Sequence, residues 1–120
     1  MKHILVVDDS RMNCVVVKQV LTTLYDVSVV NSGQGALDFL QQKTVDLILM
    51  DIEMPKMDGR ETLKKIKENP NLAKIPVIFL TAYTNPEMEA ECLKAGADDF
   101  ISKPFAPIVM LTRVARILEV

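Results

Sequence analysis

The chain has 120 residues, of which 49% are hydrophobic, and a formal net charge of −2. That length suits one domain over residues 1–120. The apolar fraction excludes intrinsic disorder, and the charge balance excludes a general attraction to nucleic acid. The apolar run after Lys2 is broken by Asp8 and Asp9, so a signal peptide is not expected. No stretch approaches the ~20 apolar residues that cross a bilayer. Cys14 and Cys92 stand far apart inside helical patterns, which predicts buried free thiols and fits a cytoplasmic setting.

Ile4 to Val7 reads as a buried strand that ends in Asp8-Asp9-Ser10, and lone His3 at its start is assigned no chemistry. Ser10 is an N-cap for a helix over Arg11 to Leu24. Its expected buried face is Met12, Val16, Val20 and Leu24, with Val17 and Leu21 beside them. Asp26 to Asn31 is a short strand. Ser32 caps a helix over Gly33 to Gln42 that buries Ala36, Leu37 and Leu40. Leu47 to Met50 is an apolar run, short enough for a strand covered on both faces, and it stops at Asp51. A loop punctuated by Pro55 and Gly59 follows. A helix then runs from Gly59 to about Asn69, with Leu63 and Ile66 inward. Ile75 to Leu80 is the fourth strand and ends at Thr81. A helix begins near Pro86 and closes at Ala95-Gly96. Asp98 to Ser102 is the fifth strand, followed by Lys103-Pro104-Phe105. The last helix covers Pro107 to Glu119, with Ile108, Leu111, Ala115 and Leu118 as its packing stripe. Val109, Met110, Val114 and Ile117 then remain, more apolar surface than one wet face carries, which points either to a wide core face that takes several of them or, the sharper expectation, to contact with a second protomer or an adjoining domain.

The βα unit recurs five times, so the expected fold is α/β: a five-stranded parallel sheet covered by helices on both faces. Right-handed crossovers leave few arrangements, and the flavodoxin-like order 2-1-3-4-5 suits this one.

In such a sheet the carboxyl ends of all strands share one edge. That edge collects Asp8 and Asp9 from strand one, Asp51 from strand three, Thr81 from strand four and Lys103 after strand five. Three crowded carboxylates repel unless a cation intervenes. Mg²⁺ takes oxygen ligands, keeps several waters and uses few carboxylates together with phosphate oxygens. A lysine and a hydroxyl beside it supply charge and hydrogen bonds for a phosphoryl group.

Ile4-Leu-Val-Val-Asp-Asp-Ser10, Asp46-Leu-Ile-Leu-Met-Asp-Ile-Glu-Met-Pro55 with Met57-Asp-Gly59, Phe79-Leu-Thr-Ala82 and Ala95-Gly-Ala-Asp-Asp-Phe-Ile-Ser-Lys-Pro-Phe105 resemble the receiver domain of two-component response regulators, over essentially the whole chain. The resemblance implies that Asp51 accepts a phosphoryl group from a sensor histidine kinase or phosphotransfer protein. It implies Mg²⁺ held by Asp9 directly, by Asp8 partly through water, by Asp51 and by the Glu53 backbone carbonyl. Lys103 is implied to pair with the phosphoryl oxygens, Thr81 to hydrogen-bond one of them, and the Lys103–Pro104 peptide to be cis. Thr81 moving toward the phosphate, with Phe100 turning inward behind it, is the implied switch. Phe100 has no hydroxyl, so a readout that needs one is not available. Glu53 and Tyr83 occupy positions implied to tune lifetime. Tyr83 is expected to cover the phosphoryl group partly and slow attack by water. Glu53 either orients water or is simply solvated.

Two other functions compete. A Mg²⁺-dependent phosphohydrolase would use Asp51 as its nucleophile, with Glu53 two residues on, but such enzymes usually carry an inserted cap and a longer chain. A flavin-binding module of the same topology would want a phosphate-cradling loop after strand one, where Asp8 and Asp9 have the wrong charge.

Overall fold

A computed structural model describes residues 1–82 and 85–119. The elements are β1 His3–Val7, α1 Arg11–Leu21, β2 Asp26–Val30, α2 Gly33–Gln42, β3 Leu47–Asp51, α3 Gly59–Glu68, β4 Val77–Thr81, α4 Pro86–Lys94, β5 Asp99–Ser102 and α5 Pro107–Leu118. All strand pairs are parallel, and the sheet order is β2-β1-β3-β4-β5, as the alternation of elements predicts. This is the flavodoxin-like arrangement.

The inner strands β1, β3 and β4 are almost wholly apolar because both faces of the sheet are covered there, while the edge strands carry Asp26 and Ser28 in β2 and Asp99 and Ser102 in β5. Leu5, Val7, Ile48, Met50, Val77 and Phe79 point to one core, with Ala36, Leu40, Leu63, Ile66 and Cys92 of α2, α3 and α4. Their neighbours Ile4, Val6, Leu47, Leu49, Ile78 and Leu80 point to the other, with residues of α1 and α5. The period of two along each strand thus feeds two layers of helices. Caps fix where the helices start. Ser10, Ser32, Asp58 and Asn85 each accept a backbone N–H of the first turn through their side chains.

Two helices sit at a different rotation from the one expected. In α1 the buried residues are Cys14, Val17 and Leu21, whereas Met12 is 77% exposed and Val16 and Leu24 are also exposed. The helix is apolar on nearly every face, so periodicity alone offered two stripes. The tie is broken at Asp8, whose carboxylate receives Asn13 Nδ2 at 3.3 Å and whose carbonyl receives the Cys14 thiol at 3.3 Å. The helix also ends at Leu21 and not at Leu24. Leu24 and Tyr25 both donate their N–H to the Leu21 carbonyl, turning the chain toward β2, and buried Tyr25 takes the core place expected of Leu24.

In α5 the fully packed stripe is Met110, Val114 and Leu118, with Leu111 and Ile117 packed beside it. Ile108, expected inside, is 70% exposed. Most of the apolar surface that suggested a second protomer or domain is therefore spent on the sheet, leaving Ile108 and Val109 outside.

Smaller differences lie at element ends. β4 starts at Val77 and not at Ile75, because Pro76 has no N–H for the ladder. The Val77 N–H is taken by the Asp98 carboxylate at 2.9 Å, which also keeps Asp98 out of β5. Gly96 closes α4 with φ of 107°, a backbone region that side chains disfavour.

Candidate functional site

The crevice lies where the strand order reverses, between the carboxyl ends of β1 and β3, the usual ligand position in such sheets. β3 carries Asp51 as its last residue, and β1 runs directly into Asp8. Both carboxylates are buried, Asp8 fully and Asp51 to 4% exposure. Asp9 beside them is exposed. Oxygens of Asp8, Asp9 and Asp51 all lie within 4.8 Å of one another.

Lys103 arrives from beyond β5. Its backbone N–H donates to the Thr81 carbonyl at 2.8 Å, and its peptide with Pro104 is cis. The ammonium stands 3.2 Å from Asp8 Oδ2 and 3.1 Å from Asp51 Oδ1. It therefore bridges two buried anions from strands that are far apart in sequence. The Glu53 N–H adds a bond to Asp51 Oδ1 at 3.3 Å. Buried Thr81 ends β4, and its hydroxyl donates to Glu53 Oε2 at 3.4 Å.

The second set of contacts on Asp8 was not read from the sequence. The Ser10 N–H donates to Asp8 Oδ1 at 2.9 Å, an Asx-turn, and Asn13 reaches Oδ2. The Asp-Asp-Ser run carries the signal for this turn, since Asp side chains bond the backbone two residues on. The Glu53–Thr81 bond was also missed, because nothing local links positions 28 residues apart. Phe100 is not at the carboxylate cluster. It is half-buried, pairs in register with Phe79 and packs against the core beneath α2, α3 and α4. Tyr83 lies outside the described residues. His3 accepts or donates a bond with Ser28 Oγ at 2.7 Å and stacks edge-on against Phe39. Both of those contacts are structural.

The electrostatics reflect one cation among too many anions. Burial pushes the Asp51 carboxyl up, the Lys103 hydrogen bond pulls it down, and Asp8 and Glu53 push it up again, to about 6. Burial pulls the Lys103 ammonium down, but its bonds and charges with Asp51 and Asp8 outweigh this, and its pKa sits above the ordinary lysine value. Burial raises the Cys14 thiol, and Asp8 raises it further, so Cys14 is no thiolate nucleophile.

A stability consequence follows with a definite sign. The folded protein keeps a proton on Asp51 that the unfolded chain releases near 3.8. Stability is thus favoured below that value and lost as pH rises toward about 6, by on the order of 3 kcal/mol for this group. Asp51→Asn removes that cost. In EDTA, urea denaturation at pH 7.5 is expected to find the variant roughly 1–3 kcal/mol more stable than wild type, with the gap closing at pH 4.5. A variant less stable at pH 7.5 would contradict this.

All-oxygen, anionic donors are the chemistry of a hard-cation site, and the excess of carboxylates over cations leaves charge for Mg²⁺ to offset. Among the described residues, no helix is long and apolar enough to cross a membrane.

Comparison with known proteins identifies the arrangement. Residues 4–115 match the family model of the response regulator receiver domain. A "Probable cyclic di-GMP phosphodiesterase" of Vibrio cholerae serotype O1 is 43% identical over 92% of this chain, which spans 25% of that protein's length. The two-component response regulator ORR11 of rice, Oryza sativa, is 38% identical over 97% of this chain and 80% of its own. The crystal structure of the chemotaxis protein CheY4 of Vibrio cholerae superposes with a TM-score of 0.92 at 32% identity, covering 98% of both chains. The chain belongs to the response regulator receiver domains of two-component systems, a family of signalling domains.

Proposed function

We propose that Asp51 is the phosphoryl acceptor of this receiver and that residues 1–120 form one such unit. The observation that carries the reading is the placement of Asp51. It is a buried carboxylate at a strand end, 3.1 Å from Lys103 and within 4.8 Å of Asp8 and Asp9 oxygens. Among the described residues, the hydrogen bond and the ion pair on Asp51 both fall on Oδ1, which leaves Oδ2 to attack phosphorus. With a pKa of about 6 the group is mostly ionised at neutral pH and therefore nucleophilic.

The donor is a phosphohistidine of a sensor kinase or phosphotransfer protein. Oδ2 bonds to phosphorus as the P–N bond breaks, and the imidazole keeps the electron pair. Lys103 follows the developing charge on the phosphoryl oxygens, and Thr81 donates to one of them. Little covalent chemistry is asked of the protein, and rate comes from positioning and charge. Receiver domains generally bind Mg²⁺ at an acidic cluster. Here exposed Asp9 is suited to hold it directly, and Asp8, already engaged by Lys103, Ser10 and Asn13, through water, with Asp51 and the Glu53 carbonyl completing the set. When bound, Mg²⁺ supplies positive charge that offsets the phosphoryl oxygens.

Phe100, on β5 next to β4, is proposed to follow a movement of Thr81. Tyr83 is proposed to slow hydrolysis by covering the phosphoryl group. Output passes to an adjoining domain or a second copy through the outer face of α5, where Ile108 and Val109 are exposed beside Arg116. A cytoplasmic location is proposed from membership of the receiver family.

The test is incubation with acetyl phosphate and Mg²⁺, read by intact mass. One added phosphoryl group is expected, and none with EDTA or in Asp51→Asn. Multiple turnover of acetyl phosphate with rapid release and no adduct at any time would favour the phosphohydrolase instead.

A further inference from the structure

We infer that Glu53 is a positioning residue that holds the switch in its unphosphorylated state by occupying the Thr81 hydroxyl. This rests on the reading of Asp51 as acceptor. The Thr81 hydroxyl has one proton, and in this structure it is donated to Glu53 Oε2 at 3.4 Å. Thr81 cannot give that proton to a phosphoryl oxygen on Asp51 without leaving Glu53.

The two states are therefore exclusive at a single atom. Glu53 opposes the phosphorylated one twice, by competing for the donor and by placing a negative charge beside a newly anionic group. The same charge already bears on Asp51. The bond breaks when buried Thr81 turns toward the phosphoryl group, and Glu53, which is exposed, gives way. It has room to leave. An open groove of about 530 Å³ is lined by Glu53 together with Asp58, Arg60 and Met88. Arg60 there is held by Glu91 at 3.2 Å and by Asp58 at 3.9 Å, so a cation lines the space into which the released carboxylate would swing. A group can shift a two-state equilibrium only through contacts that differ between the states, and the Glu53–Thr81 bond is such a contact.

The experiment is titration with beryllofluoride, a phosphoryl mimic, at saturating Mg²⁺, followed by ¹⁹F NMR. It compares wild type, Glu53→Gln, Glu53→Ala, Thr81→Ala and the double variant Glu53→Gln/Thr81→Ala. Saturating Mg²⁺ removes any effect of Glu53 on metal affinity. Glu53→Gln and Glu53→Ala are expected to bind roughly 3- to 10-fold more tightly than wild type, with Ala at least equal to Gln. The gain from Glu53→Gln is expected to shrink by at least half, on a logarithmic scale, in the Thr81→Ala background. A merely structural Glu53 would not give that coupling. Equal or weaker binding by the Glu53 variants, or a gain that ignores Thr81, overturns the inference while leaving the acceptor assignment standing. Failure of wild type to bind beryllofluoride at all overturns the acceptor assignment, and the inference with it.

Discussion

Lys103→Met is expected to lower metal-free stability at pH 7.5 by roughly 3 kcal/mol and to slow phosphoryl uptake from acetyl phosphate by roughly 10²-fold. The stability loss comes from what is left behind. Lys103 is the ammonium 3.2 Å from Asp8 and 3.1 Å from Asp51, both buried. Removing it strands two like charges in a site of low dielectric, which costs more than the pair itself contributes. Two conditions should restore part of the loss. Mg²⁺ supplies a replacement cation, and lowering the pH allows Asp51 to take up a proton, more readily than in wild type because Lys103 no longer pulls its pKa down. Uptake should not recover with Mg²⁺, because the lysine acts on the transferring oxygens and not only on the resting carboxylates. Urea denaturation with and without Mg²⁺, paired with initial rates, separates the two effects. A variant as stable as wild type in EDTA at pH 7.5 would mean that Asp8 and Asp51 do not depend on Lys103.

Gly59→Ala is the second large effect, and it acts through backbone. A methyl at Gly59 would stand 2.5 Å from the Asp51 carbonyl oxygen and 2.8 Å from the Ile52 Cα, with a Phe79 ring carbon at 3.1 Å. Neither backbone atom can swing aside as a side chain would. The first turn of α3 must move away from β3, which also breaks the 2.8 Å bond from the Gly59 N–H to the Ile52 carbonyl. A loss of about 2–3 kcal/mol is expected from thermal or urea unfolding. Because the added methyl presses on the strand end that carries Asp51, phosphoryl uptake should fall even where the variant is fully folded. Unchanged stability and uptake would show that the α3–β3 contact yields more easily than its geometry indicates.

The sheet order and the strand-end cluster were legible because both follow from simple patterns. Apolar runs such as Leu47 to Met50 have no polar position and must be covered on both faces. An acid or lysine that ends such a run has only the carboxyl edge to occupy. Helix rotation was not legible. Met12, Cys14, Val15, Val16, Val17, Val20 and Leu21 give α1 more than one apolar stripe, and the Asp8 contacts that choose between them are set by a turn. In α5, Ile108 looked like core because it continues the period of Leu111 and Ala115, yet it lies in the first turn at the edge of the sheet, where little is left to cover it. Contacts between side chains distant in sequence, such as Thr81 with Glu53, depend on rotamers and leave no periodic trace.

The most direct measurement locates the phosphoryl group. After reaction with acetyl phosphate and Mg²⁺, borohydride reduces an aspartyl phosphate to homoserine, and peptide sequencing by mass spectrometry reads its position. Homoserine at the position of Asp51, and not at Asp8 or Asp9, is the expected result. Conversion at Asp8 or Asp9, or none in protein that has gained the mass of a phosphoryl group, would contradict the assignment of Asp51 as the acceptor.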